Sequence, residues 1–168
     1  MSDVKSTRIE GREAVLEAMA EHPAVKALAG LEGIALTAAK FDRGELTLEV
    51  APADLLPAAA ALQSAGYKFF EDMTAVDWFP AEPRFQLSYH LLSHALREHI
   101  RLVTRVGGES PQVASITALW PSANYYEREV FDLFGIDFLN HPNMRRILMP
   151  DEWVGHPLRK DYPVEGYR

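Results

Sequence analysis

The residues best placed to do chemistry in this chain are Glu127-Arg128-Glu129 and, one turn further on, Asp132. Carboxylates this close could work as an acid–base pair, but such a pair needs a cleft and two opposed environments. Nothing in the surrounding sequence supplies either. At 100° per residue Tyr126, Val130, Phe131, Leu133 and Phe134 share one broad apolar face of a helix. Glu127 falls inside that arc, while Arg128, Glu129 and Asp132 point away from it. A carboxylate on the buried side is costly unless it is paired and hydrogen-bonded. The nearby cations are Arg145, Arg146, Arg159 and Lys160. Glu127 is therefore expected to accept hydrogen bonds from an arginine that fixes the chain leaving the helix; the plainer alternative is a charge grazing a helix boundary. Glu129 and Asp132 read as a solvated or partner-facing acidic patch.

Other candidates are weaker. His90 and His94 fall on one face of a strand, with His99 near them on the next. A metal site there would need more ligands and a second shell, so surface strand histidines are the simpler reading. Asp72 and Asp77 beside Trp78 could pass for a catalytic pair, but turn and strand-end hydrogen bonding accounts for them. Gly107-Gly108 and Gly30-Leu31-Glu32-Gly33 lack the fuller glycine pattern of a phosphate loop. No Gly-x-Ser-x-Gly, His-Glu-x-x-His or nucleophile triad can be assembled. The sequence offers no catalytic, cofactor or metal site of its own.

The elements that would carry these residues begin after a polar, loose stretch over residues 1–10. REAVLEAMAEH has helical spacing and is closed by Pro23; AVKALAG is a second short helix ending at Gly30. IALTAAKF is ambiguous, but Phe41-Asp42-Arg43-Gly44 followed by ELTLEV reads as a β-hairpin. ADLLPAAAALQSAG predicts a helix from about Ala53, with Pro57 near its first turn and Gly66 as its stop. YKFFEDMTAVDWF predicts a strand turning at PAEP, and FQLSYHLLS with HIRLVTRV a second hairpin that Gly107-Gly108 ends. Ser122 or Asn124 caps the Glu-Arg-Glu helix, Asn124 and Glu127 having the form of a capping box, and Gly135 stops it. The order favours an α+β fold with a largely antiparallel sheet and flanking helices in a domain spanning 11–135.

Residues 136–168 differ in kind. Pro142, Pro150, Pro157 and Pro163 are too frequent for a regular element, yet Phe138, Ile147, Leu148, Met149, Trp153, Leu158, Tyr162 and Tyr167 are too apolar for a plain linker. An extended, partner-binding tail suits that composition, because arginines and aromatics are the usual interface anchors. The alternative is a tail folded back on its own domain.

Composition narrows the class. At 168 residues, 48% hydrophobic and 24% charged, the chain suits one soluble domain with an appendage. Its net charge of -7 sits in the body, because Arg145, Arg146, Arg159, Lys160 and Arg168 offset Asp137, Asp151, Glu152, Asp161 and Glu165 in the tail. An acidic body argues against nucleic acid, which needs a basic face. The absence of cysteine removes disulfides, thiolate iron–sulfur ligation and Cys-based zinc sites. The start of the chain lacks the apolar core of a signal peptide, and no run is long enough to span a bilayer. A cytoplasmic-side protein is expected, with any membrane contact made through a partner.

The motif residues resemble a known family, the 30-kDa subunit family of respiratory complex I, which includes the C-type subunit of bacterial NADH:quinone oxidoreductase. The family pattern of Glu-Arg-Glu, an acid three residues on, two apolar residues, a His or Lys and a basic–x–apolar–apolar ending is matched here. Glu127, Arg128, Glu129, Asp132, Leu133, Phe134, His141, Arg145, Ile147 and Leu148 supply it in the required spacing. The later Pro-Leu-Arg-Lys-Asp-Tyr-Pro is present unchanged as Pro157, Leu158, Arg159, Lys160, Asp161, Tyr162 and Pro163, and Asp72–Asp77 also resembles a family segment. Tyr125-Tyr126 stands where the family often has Trp, and Asn140 where it often has Gly, a mild change at a left-handed turn.

The resemblance implies a non-catalytic subunit of the peripheral arm of a proton-translocating NADH:quinone oxidoreductase. It binds no cofactor itself; FMN and iron–sulfur clusters sit in partner subunits. Its partners would be the quinone-cavity subunit (D type) and neighbouring iron–sulfur subunits (B and I types), on the cytoplasmic side of the bacterial inner membrane. The signature residues, with Arg146 and Trp153, are the expected partner-binding set. Because some versions continue into the quinone-cavity subunit and this sequence ends at Arg168, a separate subunit is expected. Two alternatives stay open: the equivalent subunit of a membrane-bound nickel–iron hydrogenase or formate hydrogenlyase, and a free-standing enzyme using His90, His94 or the Asp72–Asp77 region.

Overall fold

The structure is a computed structural model that describes residues 8–34 and 36–165. Residues 1–7 of the stretch expected to be loose, and Tyr167 and Arg168 of the tail, lie outside the described residues. Ile9–Glu10, also expected to be loose, instead forms a short strand, β1, against β2 (Leu36–Asp42). The ambiguous segment before Phe41 thus becomes a strand, because its alternating partner β3 (Glu45–Val50) gives it a hydrogen-bonded neighbour. Between them Arg43 and Gly44 both have positive φ, 52° and 84°, the backbone a tight two-residue hairpin turn requires.

Helices α1 (Arg12–Ala18) and α2 (Pro23–Ala29) lie between β1 and β2. Pro23 opens α2 rather than merely closing α1, since a proline at the first helical position loses no needed N–H. A 3-10 turn at Pro52–Asp54 leads into α3 (Leu55–Ser64), which holds Pro57 in its first turn. Then come β4 (Phe69–Asp77), β5 (Phe85–Ser93), β6 (Glu98–Val106), β7 (Gln112–Ala114), α4 (Ala123–Phe134) and β8 (Asp137–Leu139).

Six strands form one sheet in the order β1-β2-β3-β6-β5-β4. Every neighbouring pair is antiparallel except β3 with β6, so the fold is α+β with a largely antiparallel sheet. Leu46, Leu48, Leu87, Tyr89, Leu91, Ile100 and Leu102 stand on one face of the central strands and are buried together with Leu55, Ala58 and Leu62 of α3. The other face carries charge pairs, Arg101 with Glu45 and Arg105 with Glu49. Helix α4 lies beside β4, where Phe70 packs against Trp120 and Tyr126. Trp120 Nε1 and the Tyr126 hydroxyl donate to the carbonyls of Lys68 and Glu71, both at 3.1 Å. These bonds fix the helix to the sheet edge.

The boundary expected at residue 136 is corrected by the second sheet. Strand β8 pairs in parallel with β7, and Ile136 and Phe138 are core residues. The irregular tail therefore begins after Leu139. Leu87→Ala, at the centre of the buried face, is expected to lower stability by about 2–5 kcal/mol, read from the denaturant midpoint.

Candidate functional site

Helix α4 positions most of the motif residues, and its ends decide how the tail leaves. Ser122 stands at the N-cap without a side-chain bond, and Glu127 makes no bond back to the cap, so the expected capping box does not form. At the other end Gly135 takes φ 68°, the left-handed conformation that stops the helix. A Cβ there would also collide with the His156 ring and meet the Arg159 guanidinium at 2.8 Å. After β8, Asn140 takes φ 65° and turns the chain back over the helix.

Asp132 is where the tail is held. Expected in a solvated or partner-facing acidic patch, it is instead fully buried, because the returning tail covers that side of the helix. Its Oδ2 accepts the backbone N–H groups of Ile147, Leu148 and Met149 at 3.0, 2.8 and 2.9 Å. Its Oδ1 accepts Arg146 Nη1 at 2.5 Å. Burial pushes this carboxyl up, but the amides of Met149, Leu148 and Ile147 and the Arg146 guanidinium outweigh it and hold it below the usual range. Arg146 extends the grip by donating to the carbonyls of Trp153 and Gly155 at 2.9 and 3.0 Å.

Arg128 is likewise buried rather than turned outward, and donates to the carbonyls of Arg145 and Arg146 at 3.1 and 3.0 Å. Arg159 caps the helix C-terminus, with Nε on the Phe134 carbonyl at 2.5 Å and Nη2 on that of Gly135 at 3.3 Å. The Leu158 amide donates to the Leu133 carbonyl at 3.1 Å.

A second clasp sits at the end of β4. Asp77, buried, accepts the amides of Phe79 and Lys160 at 2.9 and 2.8 Å and two bonds from Arg84. Arg84 in turn reaches Asp161 at 2.6 Å and lies over the rings of Phe79 and Phe85. Burial raises the Asp77 carboxyl, but Arg84 and the two amides hold it well below the ordinary carboxylate range. The strand-end bonding expected of Asp77 is present, and its reach to Lys160 across 83 residues is new. Asp72 is separate from it, paired with His90.

Glu127 does not hold an arginine. Fully buried, it accepts Ser115 Oγ at 2.7 Å and the Ile116 amide at 2.8 Å, with His141 Nε2 4.0 Å away. The arginine expected on Glu127 is found on Asp132 instead. Of the three residues expected to point away from the apolar face, Glu129 alone does so, exposed on the outer side of α4. The histidines are not brought together: His90 bonds Asp72 and Arg101, His99 bonds Glu71, and His94 stands against the Phe69 ring. Among the described residues no group of three or more His, Asp or Glu could hold a metal ion.

The tail thus meets its own domain largely through polar groups, with Met144 packed on the core, and leaves several apolar side chains exposed. Leu148, Trp153 and Leu158 are 60%, 39% and 51% exposed, and Arg145 and Lys160 are exposed as well. Pro157 is half-buried, and Tyr162, also half-buried, donates its hydroxyl to the Val154 carbonyl at 3.3 Å.

Residues 48–168, which span every one of these clasps, match the family described as respiratory-chain NADH dehydrogenase, 30 Kd subunit. The chain belongs to this family. Among its 30-kDa-subunit relatives, the NADH-quinone oxidoreductase C subunit of Citrifermentans bemidjiense is 48% identical over 125 residues, 74% of this chain and 78% of that protein. The corresponding C subunit of Roseiflexus castenholzii is 49% identical over 125 residues, 73% and 72% of the two chains. Two solved structures share the fold. The trypsin-resistant fragment (1-134) of Nqo5 has a TM-score of 0.61 at 28% identity, covering 76% of this chain and 98% of that one. A chain of the membrane-bound sulfane sulfur reductase, an archaeal respiratory membrane complex, has a TM-score of 0.73 at 25% identity, covering 86% of each chain.

Asp132→Asn removes the charge that Arg146 answers and is expected to cost about 3–5 kcal/mol of local stability. Trypsin should then cut faster at Arg145 and Arg146, with α4 and the sheet still protected. Acid should act on the clasps too. Both Asp77 and Asp132 have lowered pKa values, so their stabilisation is present above the unfolded carboxylate range and is lost as pH falls below about 4. The same trypsin sites, probed after a brief acid exposure and hydrogen-exchange labelling, should lose protection before the sheet does.

Proposed function

We propose that this chain is a non-catalytic scaffold subunit of the peripheral arm of a proton-translocating NADH:quinone oxidoreductase. The complex passes electrons from NADH through FMN and iron–sulfur clusters to quinone. The chain has no active site or cofactor of its own in this reading; it keeps redox partners in register. Its tail receives the quinone-cavity subunit (D type) and iron–sulfur subunits (B and I types) on the cytoplasmic side of the bacterial inner membrane. Among the described residues no helix is long and apolar enough to cross a membrane. In this reading, contact with the bilayer is made by partners.

One observation carries this reading. The tail backbone is gripped by the domain's own Asp77, Arg128 and Asp132, with Arg146 of the tail answering Asp132, while Leu148, Trp153, Val154 and Leu158 stay exposed. A segment held in shape with its apolar side chains facing out is ready to be covered by another protein.

The likeness to a chain of the archaeal sulfane sulfur reductase supports a second reading, the equivalent subunit of a related membrane-bound complex such as a nickel–iron hydrogenase or formate hydrogenlyase. Purification of the tagged chain from mildly solubilised membranes separates the two. Flavin, iron–sulfur and membrane subunits with NADH-dependent quinone reduction are expected; a nickel–iron large subunit without NADH activity would select the second reading. Recovery of a lone chain with activity or bound metal would instead make it a free-standing enzyme. In the same assay the pair Trp153→Ser and Leu158→Asp should weaken partner recovery by about 2 kcal/mol or more, roughly thirtyfold, at an unchanged denaturation midpoint. Normal incorporation of that variant would remove the tail from the interface.

A further inference from the structure

Beside the root of the tail, on α4, stands a buried carboxyl that no cation answers among the described residues. Glu127 makes two hydrogen bonds, both from neutral donors, the Ser115 hydroxyl and the Ile116 amide. Three further titratable groups stand around it. His141, just beyond β8, has a fully buried side chain with Nε2 4.0 Å from Glu127 Oε2. Tyr89 of β5 is buried, lies within electrostatic reach of Glu127, and its hydroxyl has no hydrogen-bond partner among the described residues. Burial, and then Arg128 next along the helix, disfavour charge on His141 against the pull of the Asn124 carbonyl, and the Arg128 guanidinium donates to the carbonyls of Arg145 and Arg146.

The seat of His141 fixes its protonation. The Asn143 amide donates to Nδ1 at 3.0 Å, so the ring proton is on Nε2, where it points to the Asn124 carbonyl at 3.3 Å. Neutral His141 therefore joins helix α4, through Asn124, to the first turn of the tail, through Asn143. A neutral Glu127 leaves that bridge undisturbed. An ionised Glu127 would be a buried charge with two neutral donors, and it has two further N–H or O–H groups to recruit: Nε2–H of His141 and the Tyr89 hydroxyl.

We propose that Glu127 is a proton switch for the root of the tail: neutral, it leaves His141 seated; once its proton has gone to solvent, it draws the His141 Nε2–H off the Asn124 carbonyl and pulls the ring away from Asn143. The step is a single proton loss, and the two donors it recruits exchange hydrogen-bond partners without changing their own protonation. Burial lifts the Glu127 carboxyl to about 7 against the opposing pull of Ser115 and Ile116, which places the change in the neutral range. Its sign is opposite to that of the Asp77 and Asp132 clasps. A carboxyl raised in the folded state stabilises the fold at lower pH, and that stabilisation is lost as pH rises from the ordinary carboxylate range through about 7. The tail root is then tightest in mildly acidic solution. This inference does not depend on which complex the chain joins.

The test is a titration of the full 168-residue chain by NMR with carbon-labelled glutamate, followed at the Glu127 carboxyl and at the amide of Asn143. The expected result is a carboxyl midpoint near 7, with loss of Asn143 protection factor and a shift of the His141 ring signals at the same midpoint. In Glu127→Gln, which stays neutral, Asn143 protection should no longer change across that range. A carboxyl midpoint in the ordinary range would overturn the proposal. So would Asn143 protection that ignores the midpoint, or a pH response that survives in Glu127→Gln. Should Glu127→Gln not fold, the wild-type carboxyl and Asn143 titrations decide alone.

Discussion

One carboxylate sets the shape of everything after β8. A chain without helix or strand must still find partners for its buried N–H groups, and Asp132 supplies an acceptor for three consecutive ones while answering Arg146. Arg146 then reaches the carbonyls of Trp153 and Gly155, so one ion pair organises both amides and carbonyls of an irregular segment. Arg128 and Arg159 add carbonyl contacts at either side. The tail is held mainly through polar groups, and Leu148, Trp153, Val154 and Leu158 are left exposed.

Glu127 and Asp132 show how environment separates two carboxyls of one helix. Both are fully buried. Asp132 meets a guanidinium and three amides and stays ionised; Glu127 meets a hydroxyl and one amide, and burial prevails. The first fastens the tail and the second sits where the tail begins. The Asp77–Arg84–Asp161 cluster fastens its far part to the end of β4. The sheet edge and the last helix thus share the tail between them, and movement of one against the other would be felt along its length. For a member of the 30-kDa family, which the proposed function makes a spacer between redox partners, such stiffness is the useful property.

Local chemistry was largely legible. Alternation marked β3, and β-rich runs the strands of the second hairpin, while Arg43-Gly44 marked the first turn and Gly135 the end of α4. The segment before Phe41 was not legible, because a strand of weak pattern is settled by the neighbour it pairs with. Ile136 and Phe138 were read into the tail because three-residue strands leave too short a pattern to recognise.

The sequence alone determined that Glu127 would be buried, that the fold is α+β, and that the tail carries an interface composition; each follows from periodicity or composition within a short window. Tertiary structure decided which carboxylate holds an arginine. A helical wheel puts Arg128 and Asp132 outside because it knows only their own helix. The side it counts as solvent is covered by residues 145–149, brought back by the turn at Asn140. Likewise Asp77 meets Lys160 across 83 residues, a pairing no local pattern encodes. Hydrogen-bond partners depend on which surfaces meet, and surfaces meet only once the chain has folded.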